Sequence, residues 1–456
     1  MIPLKLVDVP ASIVMRGDSH ARATGIAIDS RLVEPGDLFI AIRGGVDHIE
    51  AAIAAGAIAV VVEEDHVEKA LETSIPTILA TFSSIRCLQC LGDVNAAATL
   101  AQRVGITGST GKTSTKDALA HLIAGQRRVV SALEGHNNEI GYPLTLTRIN
   151  EDTEVAVCEL AMRGKGQIAE LCAIAAPDIG VITNIGVAHI ELLGSPEAIA
   201  AAKAEITAGL REGGHAVLPF AEPLLDPYLP ADVQITTFGD EAGSDIQLVD
   251  RHVRDDGQDL TYLVHGELLT LKTNLVGRHH ARNLAAALAV CHILGLDLDR
   301  VAERAGDIPL PRWRGETQRI AGGIDVVNDS YNANPTSMEA ALRLLAETPT
   351  EGRRIAVLGL MAELGPDADR YHREVGALAA RVGIDMVVAV GDLARAYLDG
   401  AGDGVVGVAV ADTDAAVEQL LATVQAGDRV LVKGSRAAGL EVVPVLLAER
   451  LEDATA

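Results

Sequence analysis

The chain has 456 residues, 48% hydrophobic and 22% charged, with 38 Lys and Arg against 63 Asp and Glu, a formal net charge of −25. That length divides into roughly two to four domains, and the balance is that of a folded globular protein, which excludes a disordered chain. The acidic excess excludes nucleic-acid backbones and anionic membranes as broad partners, and four Phe, six Tyr and one Trp are too few for a base-stacking platform.

Met1 to Asp8 lacks a positive segment followed by a long apolar stretch, and the longest apolar run, Ala51 to Val62, is too short to span a bilayer. The expectation is a cytoplasmic enzyme with no nucleic-acid partner and no membrane insertion. Five scattered cysteines do not make a disulfide framework. Cys87 and Cys90 have C-x-x-C spacing, but no second pair completes a zinc site and the flanks read as helix, so a buried structural role is expected.

In chain order, residues 1–83 read as a small α/β unit, with strands at Asp37 to Ile42 and Ala57 to Val62 and a helix from Ile49 to Gly56 between them. Residues 84–310 read as a central unit. Strands at Gln102 to Thr107, Val155 to Cys158 and Ile179 to Thr183 alternate with helices at Thr113 to Ala124 and Pro196 to Leu210, which predicts a parallel sheet. Residues 245–276 read as antiparallel strands added to it. Prolines and a glycine from Pro309 to Gly315 mark a linker. In residues 311–456, strands at Ile324 to Val327, Arg354 to Gly359, Met386 to Gly391 and Arg429 to Gly434 alternate with helices, which predicts a doubly wound, Rossmann-like unit with a frayed tail from Glu452 to Ala456. The fold class is therefore α/β in three domains.

The stretch Gly105 to Thr113 joins a strand to a helix and has the composition of a phosphate-binding loop. Its glycines, without a Cβ, let consecutive backbone N–H groups turn inward into an anion-binding nest, Lys112 supplies a cation, and the Thr113 hydroxyl suits Mg²⁺. The general P-loop pattern wants glycine at 106, where this chain has Ile106, so the match is to the narrower T-G-x-x-G-K-T; an ordinary glycine-rich turn is the alternative.

Glu159, Asn184 and His189 stand at or beyond strand ends, where open parallel sheets place ligands. A carboxylate there could hold Mg²⁺, and the alternative is a solvated or capping group. Lys203 sits in an alanine-rich helix opened by Ser195 and Pro196. It is either a surface lysine or a partly buried one whose pKa is depressed. The polar cluster Asp329 to Pro335 ends another strand, as ligand groups or as turn formers capping a helix near Thr336.

Taken together, these motifs resemble the Mur ligase family, ATP-dependent enzymes that add amino acids to the peptidoglycan precursor. The resemblance is carried by the T-G-x-x-G-K-T loop, Asn137 to Gly141, Glu159, Thr183 to His189 with Glu191, Lys203, His280 to Asn283, Arg314, Asp329 to Pro335 and Lys433 to Arg436, in family order along nearly the whole chain. Asn137 to Gly141 and Ser330 to Pro335 look most like the branch that joins D-alanyl-D-alanine to a UDP-N-acetylmuramoyl-tripeptide, and the Asp-Asn-Pro-Arg run of the diaminopimelate-adding branch is absent. A folylpolyglutamate synthetase-like ligase and a nucleotide-binding paralogue without ligase activity are the rivals.

The resemblance implies roles residue by residue. Gly108, Ser109, Thr110, Gly111, Lys112, Thr113, Asn283 and Arg314 would bind ATP, with Asn283 at the adenine, and Lys112, Lys203, Arg314 and Asp329 would be catalytic. Thr113, Glu159, His189 and a carbamylated Lys203 would hold Mg²⁺. Ser30, Arg31, Asn138, Asn332, Asn334, Lys433 and Arg436 would meet the substrates, Ser30 and Arg31 at the uridine diphosphate end. The implied enzyme is a monomer. The chain departs from the usual wording at Val46 to Ile49, at Leu360 and at Pro311 to Arg314.

Overall fold

A computed structural model describes residues 1–187, 190–254 and 256–455. The first part of the chain forms a five-stranded sheet in the order Ser12–Arg16, Thr77–Thr81, Ala59–Glu63, Asp37–Ile40, Gly25–Ala27, parallel except for the first pair. Phe39, Val60 and Ile78 fill one face; Leu38, Val61 and Leu79 fill the other, beneath the helix Ser84–Ala97. Burial on both faces is why these strands read as continuous apolar runs. Cys87 lies buried on that helix with its thiol donating to the Pro10 carbonyl at 3.3 Å, and burial pushes its pKa up to about 12, which fits the expected structural role; Cys90 is only half-buried.

The central part carries a nine-stranded sheet in the order Glu267–Thr273, Gly257–Val264, Ile246–Arg254, Gln234–Gly239, His215–Pro219, Ile179–Ile182, Gln102–Thr107, Val155–Glu159, Val129–Ser131. The strands are parallel from Val129–Ser131 to Ile246–Arg254, and the last two pair antiparallel, as residues 245–276 predict. Helices Lys112–Ile123 and Arg278–Ile293 bury Leu119, Leu122, Leu284 and Leu288 on one face. Pro196–Ala208 buries Ile199 and Ile206 on the other. Three carboxyl ends therefore converge: those of Gln102–Thr107, Val155–Glu159 and Ile179–Ile182.

The third sheet runs Glu316–Ile320, Ile324–Asn328, Arg429–Lys433, Arg354–Leu358, Met386–Val390, Val406–Val410, parallel after an antiparallel first pair. Pro335–Glu347 and Ala368–Val382 cover one face, and Thr413–Thr423 with Val443–Thr455 the other. From Glu452 to Thr455 the expected frayed tail is instead the end of the last helix, because Leu447 is fully buried and Leu451 packs on the same core; Ala456 lies outside the described residues. This part docks on the central one. Arg251 pairs with Glu347 at 2.9 Å, and Val187 and Ile190 pack against the third core. Among the described residues no helix is long and apolar enough to cross a membrane.

Candidate functional site

The glycine-rich turn leaves the carboxyl end of Gln102–Thr107 and enters the helix Lys112–Ile123. Ile106 is the last residue but one of that strand and fully buried, so the turn begins after it and position 106 has no need of glycine. Gly108 has φ +148°, and a Cβ there would lie 1.8 Å from the Thr183 hydroxyl oxygen. Gly111 has φ +79°, with Asn283 Oδ1 2.6 Å from where its Cβ would be. Both positions require glycine, for conformation and for space. Asn184 braces the turn from the neighbouring strand end: its carbonyl accepts from Ser109 N–H at 3.1 Å and its Oδ1 from Thr110 N–H at 2.9 Å. The Ser109 hydroxyl donates to the Gly186 carbonyl at 2.8 Å. Asn184 thus shapes the loop from behind.

A Gly108→Ala substitution is expected to cost about 1–3 kcal/mol of backbone strain and to displace Thr183. The expected result in a calorimetric titration is loss of measurable ATP binding together with a lowered melting temperature. ATP affinity equal to wild type would show that this turn is not the phosphate site.

Lys112 Nζ donates to the Gly108 carbonyl at 2.9 Å, curled over its own loop. Burial holds its pKa below the ordinary lysine value, with Glu159 raising it and Arg314 lowering it further. Glu159 is the last residue of Val155–Glu159, and both its oxygens are engaged: Oε2 accepts from the Thr113 hydroxyl at 2.9 Å and Oε1 from Asn137 Nδ2 at 3.0 Å. The fold therefore joins two oxygen groups that lie 46 residues apart in sequence. His189 falls outside the described residues. Among the described ones, no group of three or more His, Cys, Asp or Glu is arranged to hold a metal.

Lys203 is 2% exposed, inside Pro196–Ala208, which settles the choice between surface and buried lysine. Burial, reinforced by the charge of Lys112, drives its pKa well below the ordinary value. No acceptor or counter-ion for its ammonium occurs among the described residues. Arg314 arrives from the linker, stacked over the Tyr331 ring at 3.9 Å, with its Nε buried and without a described partner. Asn283 is buried on Arg278–Ile293 against Gly111, at the edge of the phosphate turn.

Several other residues turn out to hold the site's framework. Lys433 is 2% exposed and spends its three ammonium hydrogens on Asp329 Oδ2 at 2.7 Å, the Asp329 carbonyl at 3.2 Å and the Asn332 carbonyl at 3.0 Å. It lies beneath the polar cluster as its internal support. Asn334 caps Pro335–Glu347 in a capping box with Ser337, and Asn138 Oδ1 accepts from the N–H groups of Ile140 and Gly141 at 3.1 and 2.9 Å. Asn332 is exposed, with Oδ1 turned to Ala333 N–H at 2.9 Å. Arg436 stacks on Trp313 at 4.1 Å and faces Glu441 at 3.4 Å. In the first part of the chain, exposed Arg31 grips Asp29, whose pKa falls to about 2 through that hydrogen bond, with half-buried Ser30 between them. Among the described residues no hydrogen bond or ion pair joins Ser30 or Arg31 to the phosphate turn.

Asn137 and His280 carry no individual role on sequence grounds. His280 is buried beside His279, its Nδ1 lacks a described partner, and burial holds it neutral near the charges of Asp329 and Arg314. Only the resemblance, which ran through both positions, pointed to them.

A glycine-rich turn at the converging ends of a parallel sheet, met by an arginine from the linker to a doubly wound neighbour, is the framework of a nucleotide-using α/β enzyme. Three family models match: Mur ligase family, catalytic domain, over residues 22–83; Mur ligase middle domain over 106–291; and Mur ligase, glutamate ligase domain, over 313–436. The UDP-N-acetylmuramoyl-tripeptide–D-alanyl-D-alanine ligase of Synechocystis sp. is 38% identical over 446 residues, 94% of this chain and 93% of that protein. The structure of MurF from Acinetobacter baumannii is similar with a TM-score of 0.84 and 26% identity, covering 94% of each chain. MurF ligase from Thermotoga maritima in complex with ADP gives 0.83 and 30%, covering 94% of this chain and 98% of that one. The chain belongs to the Mur ligase family.

Proposed function

We propose that this protein joins D-alanyl-D-alanine to a UDP-N-acetylmuramoyl-tripeptide with conversion of ATP to ADP and phosphate. The observation that carries the chemistry is the meeting of Lys112, Thr113 and Glu159 with Arg314 at one end of the central sheet. The near full-length likeness to ligases of that name supports the substrates. On this reading residues 1–83 hold the uridine diphosphate end, with Ser30 and Arg31, residues 84–310 hold ATP, and residues 311–456 present the dipeptide. The accompanying reading is a cytoplasmic monomer.

The tripeptide's terminal carboxylate attacks the γ-phosphorus, an oxygen–phosphorus bond forms and ADP leaves. The dipeptide amine then attacks the acyl carbon, and phosphate departs as the amide forms. Negative charge accumulates on the transferred group in the first step, where Lys112 and the Arg314 guanidinium, stacked on Tyr331 with its Nε lacking a hydrogen-bond partner among the described residues, are held ready to offset it. The Thr113 hydroxyl and Glu159 carboxylate, 2.9 Å apart, are the hard oxygen donors Mg²⁺ prefers, and with Lys203 as its carbamate they would hold it. Mg²⁺ bound there would neutralise phosphate charge. Docking of the third part onto the central one, to which Arg251 and Glu347 contribute an ion pair, would keep water from the acyl phosphate.

Mass spectrometry of the product formed from UDP-N-acetylmuramoyl-tripeptide, D-alanyl-D-alanine and ATP tests this reading. The expected result is the pentapeptide amide with one ADP per amide. ADP without amide, or amide formed only with a different acceptor or amine, would overturn it.

A further inference from the structure

Beside the phosphate turn, on the side of the edge strand Val129–Ser131, lies a cavity of about 390 Å³ to which Thr113, Lys116, Asp117, Glu134, Arg148 and Pro311 contribute. Its volume suits part of a small-molecule ligand. Lys116 is 4% exposed and internally balanced: its ammonium donates to the Ala132 carbonyl at 2.8 Å and pairs with Asp117 at 2.6 Å. Arg148 and Glu134 are different. Arg148 donates one hydrogen bond, to the Ser131 carbonyl at 2.8 Å, and among the described residues neither it nor Glu134 has an ion-pair partner. Although Arg148 reaches solvent, desolvation holds its guanidinium below the ordinary value, a cost that an anion beside it would offset. The cavity thus offers one unmatched cation and one unmatched anion, next to the Thr113 hydroxyl.

We propose that this cavity is a subsite for a zwitterionic amino-carboxylate group, its carboxylate held by the Arg148 fork and its ammonium by Glu134. A planar guanidinium binds carboxylate with two parallel hydrogen bonds, which an ammonium ion cannot reproduce. The inference rests on the ligase reading, and two substrates there carry such a group. One is free D-alanyl-D-alanine, whose seating here would move the dipeptide's carboxylate site from residues 311–456 to the central unit. The other is a tripeptide ending in 2,6-diaminopimelate, the residue for which a structurally similar D-alanyl-D-alanyl ligase of Acinetobacter baumannii is named.

The test is steady-state kinetics of the full-length enzyme and of Arg148→Ala, Arg148→Lys and Glu134→Gln, each checked by melting temperature. The expected result is a KM increase of roughly 10- to 100-fold for one amino-carboxylate substrate, with KM for ATP unchanged and Arg148→Lys intermediate. Two altered substrates tell the sources apart: D-alanyl-D-alaninamide, and a tripeptide ending in lysine. Wild type should discriminate against whichever lacks the bound carboxylate, and Arg148→Ala should lose that discrimination. KM values within about twofold of wild type for both substrates in the folded Arg148→Lys and Glu134→Gln variants would overturn the subsite, as would discrimination that survives Arg148→Ala. Failure of the wild-type enzyme to ligate either substrate pair would instead fall on the ligase reading.

Discussion

Lys112→Ala is expected to lower kcat/KM for ligation by roughly 10³-fold or more, about 4 kcal/mol of transition-state stabilisation. The Lys112 ammonium rests on the Gly108 carbonyl at 2.9 Å, in a setting where burial and Arg314 already disfavour its charge. A triphosphate supplies the missing anion, so the cation's interaction grows as charge moves onto the transferred group, and that differential interaction is what accelerates a reaction. Lys112→Arg should not restore activity, because a guanidinium needs room and a planar partner that a turn this narrow denies it. The side chain makes a single described hydrogen bond, to its own loop, so the melting temperature should change little. The measurement is ADP release with both substrates present; release at the wild-type rate would remove Lys112 from the mechanism.

Lys203→Ala is expected to lower ligation by about 10²-fold and to be partly restored by short carboxylic acids. A lysine 2% exposed, with its pKa driven well down by burial and by Lys112, favours the neutral amine. That amine can add to CO₂, forming an N–C bond and releasing a proton, which turns a buried neutral amine into an oxygen-rich anion suited to Mg²⁺. Full activity of Lys203→Ala without added acid would end the carbamate proposal, as would wild-type enzyme that shows no carbamate signal under ¹³C-labelled CO₂.

The same residue has a separate stability signature. Its folded-state pKa lies below the unfolded one, so between those two values the unfolded chain binds more protons and stability declines as pH falls. Lys203→Met keeps the volume and removes the charge. It should therefore raise the melting temperature near neutral pH and flatten that pH dependence, while leaving ligation as low as in Lys203→Ala.

How far the chain could be read depends on how local each cause is. The strand Gln102–Thr107 and the glycine turn after it follow from neighbours in sequence: an apolar run, then glycines at the positions where positive φ is required. The end of the last helix, from Glu452, reads as a tail because it is polar, whereas Leu447 and Leu451 dock the helix on a core built by distant strands. Asn138 and Asn334 look alike in sequence as polar motif residues, yet their side chains serve a turn and a helix cap.

Sequence alone determined the α/β class, the succession of parallel-sheet units and the phosphate turn, because hydrophobic period and glycine geometry are properties of short stretches. Only the tertiary structure decided which polar groups act together. It brought Thr113 onto Glu159, buried Lys203 away from solvent, turned Lys433 inward onto Asp329 and stacked Arg314 on Tyr331 near enough to act on the Lys112 charge. The reason is physical: a side chain's charge state and partners depend on the dielectric and the groups around it in space, and these are supplied by elements far apart along the chain.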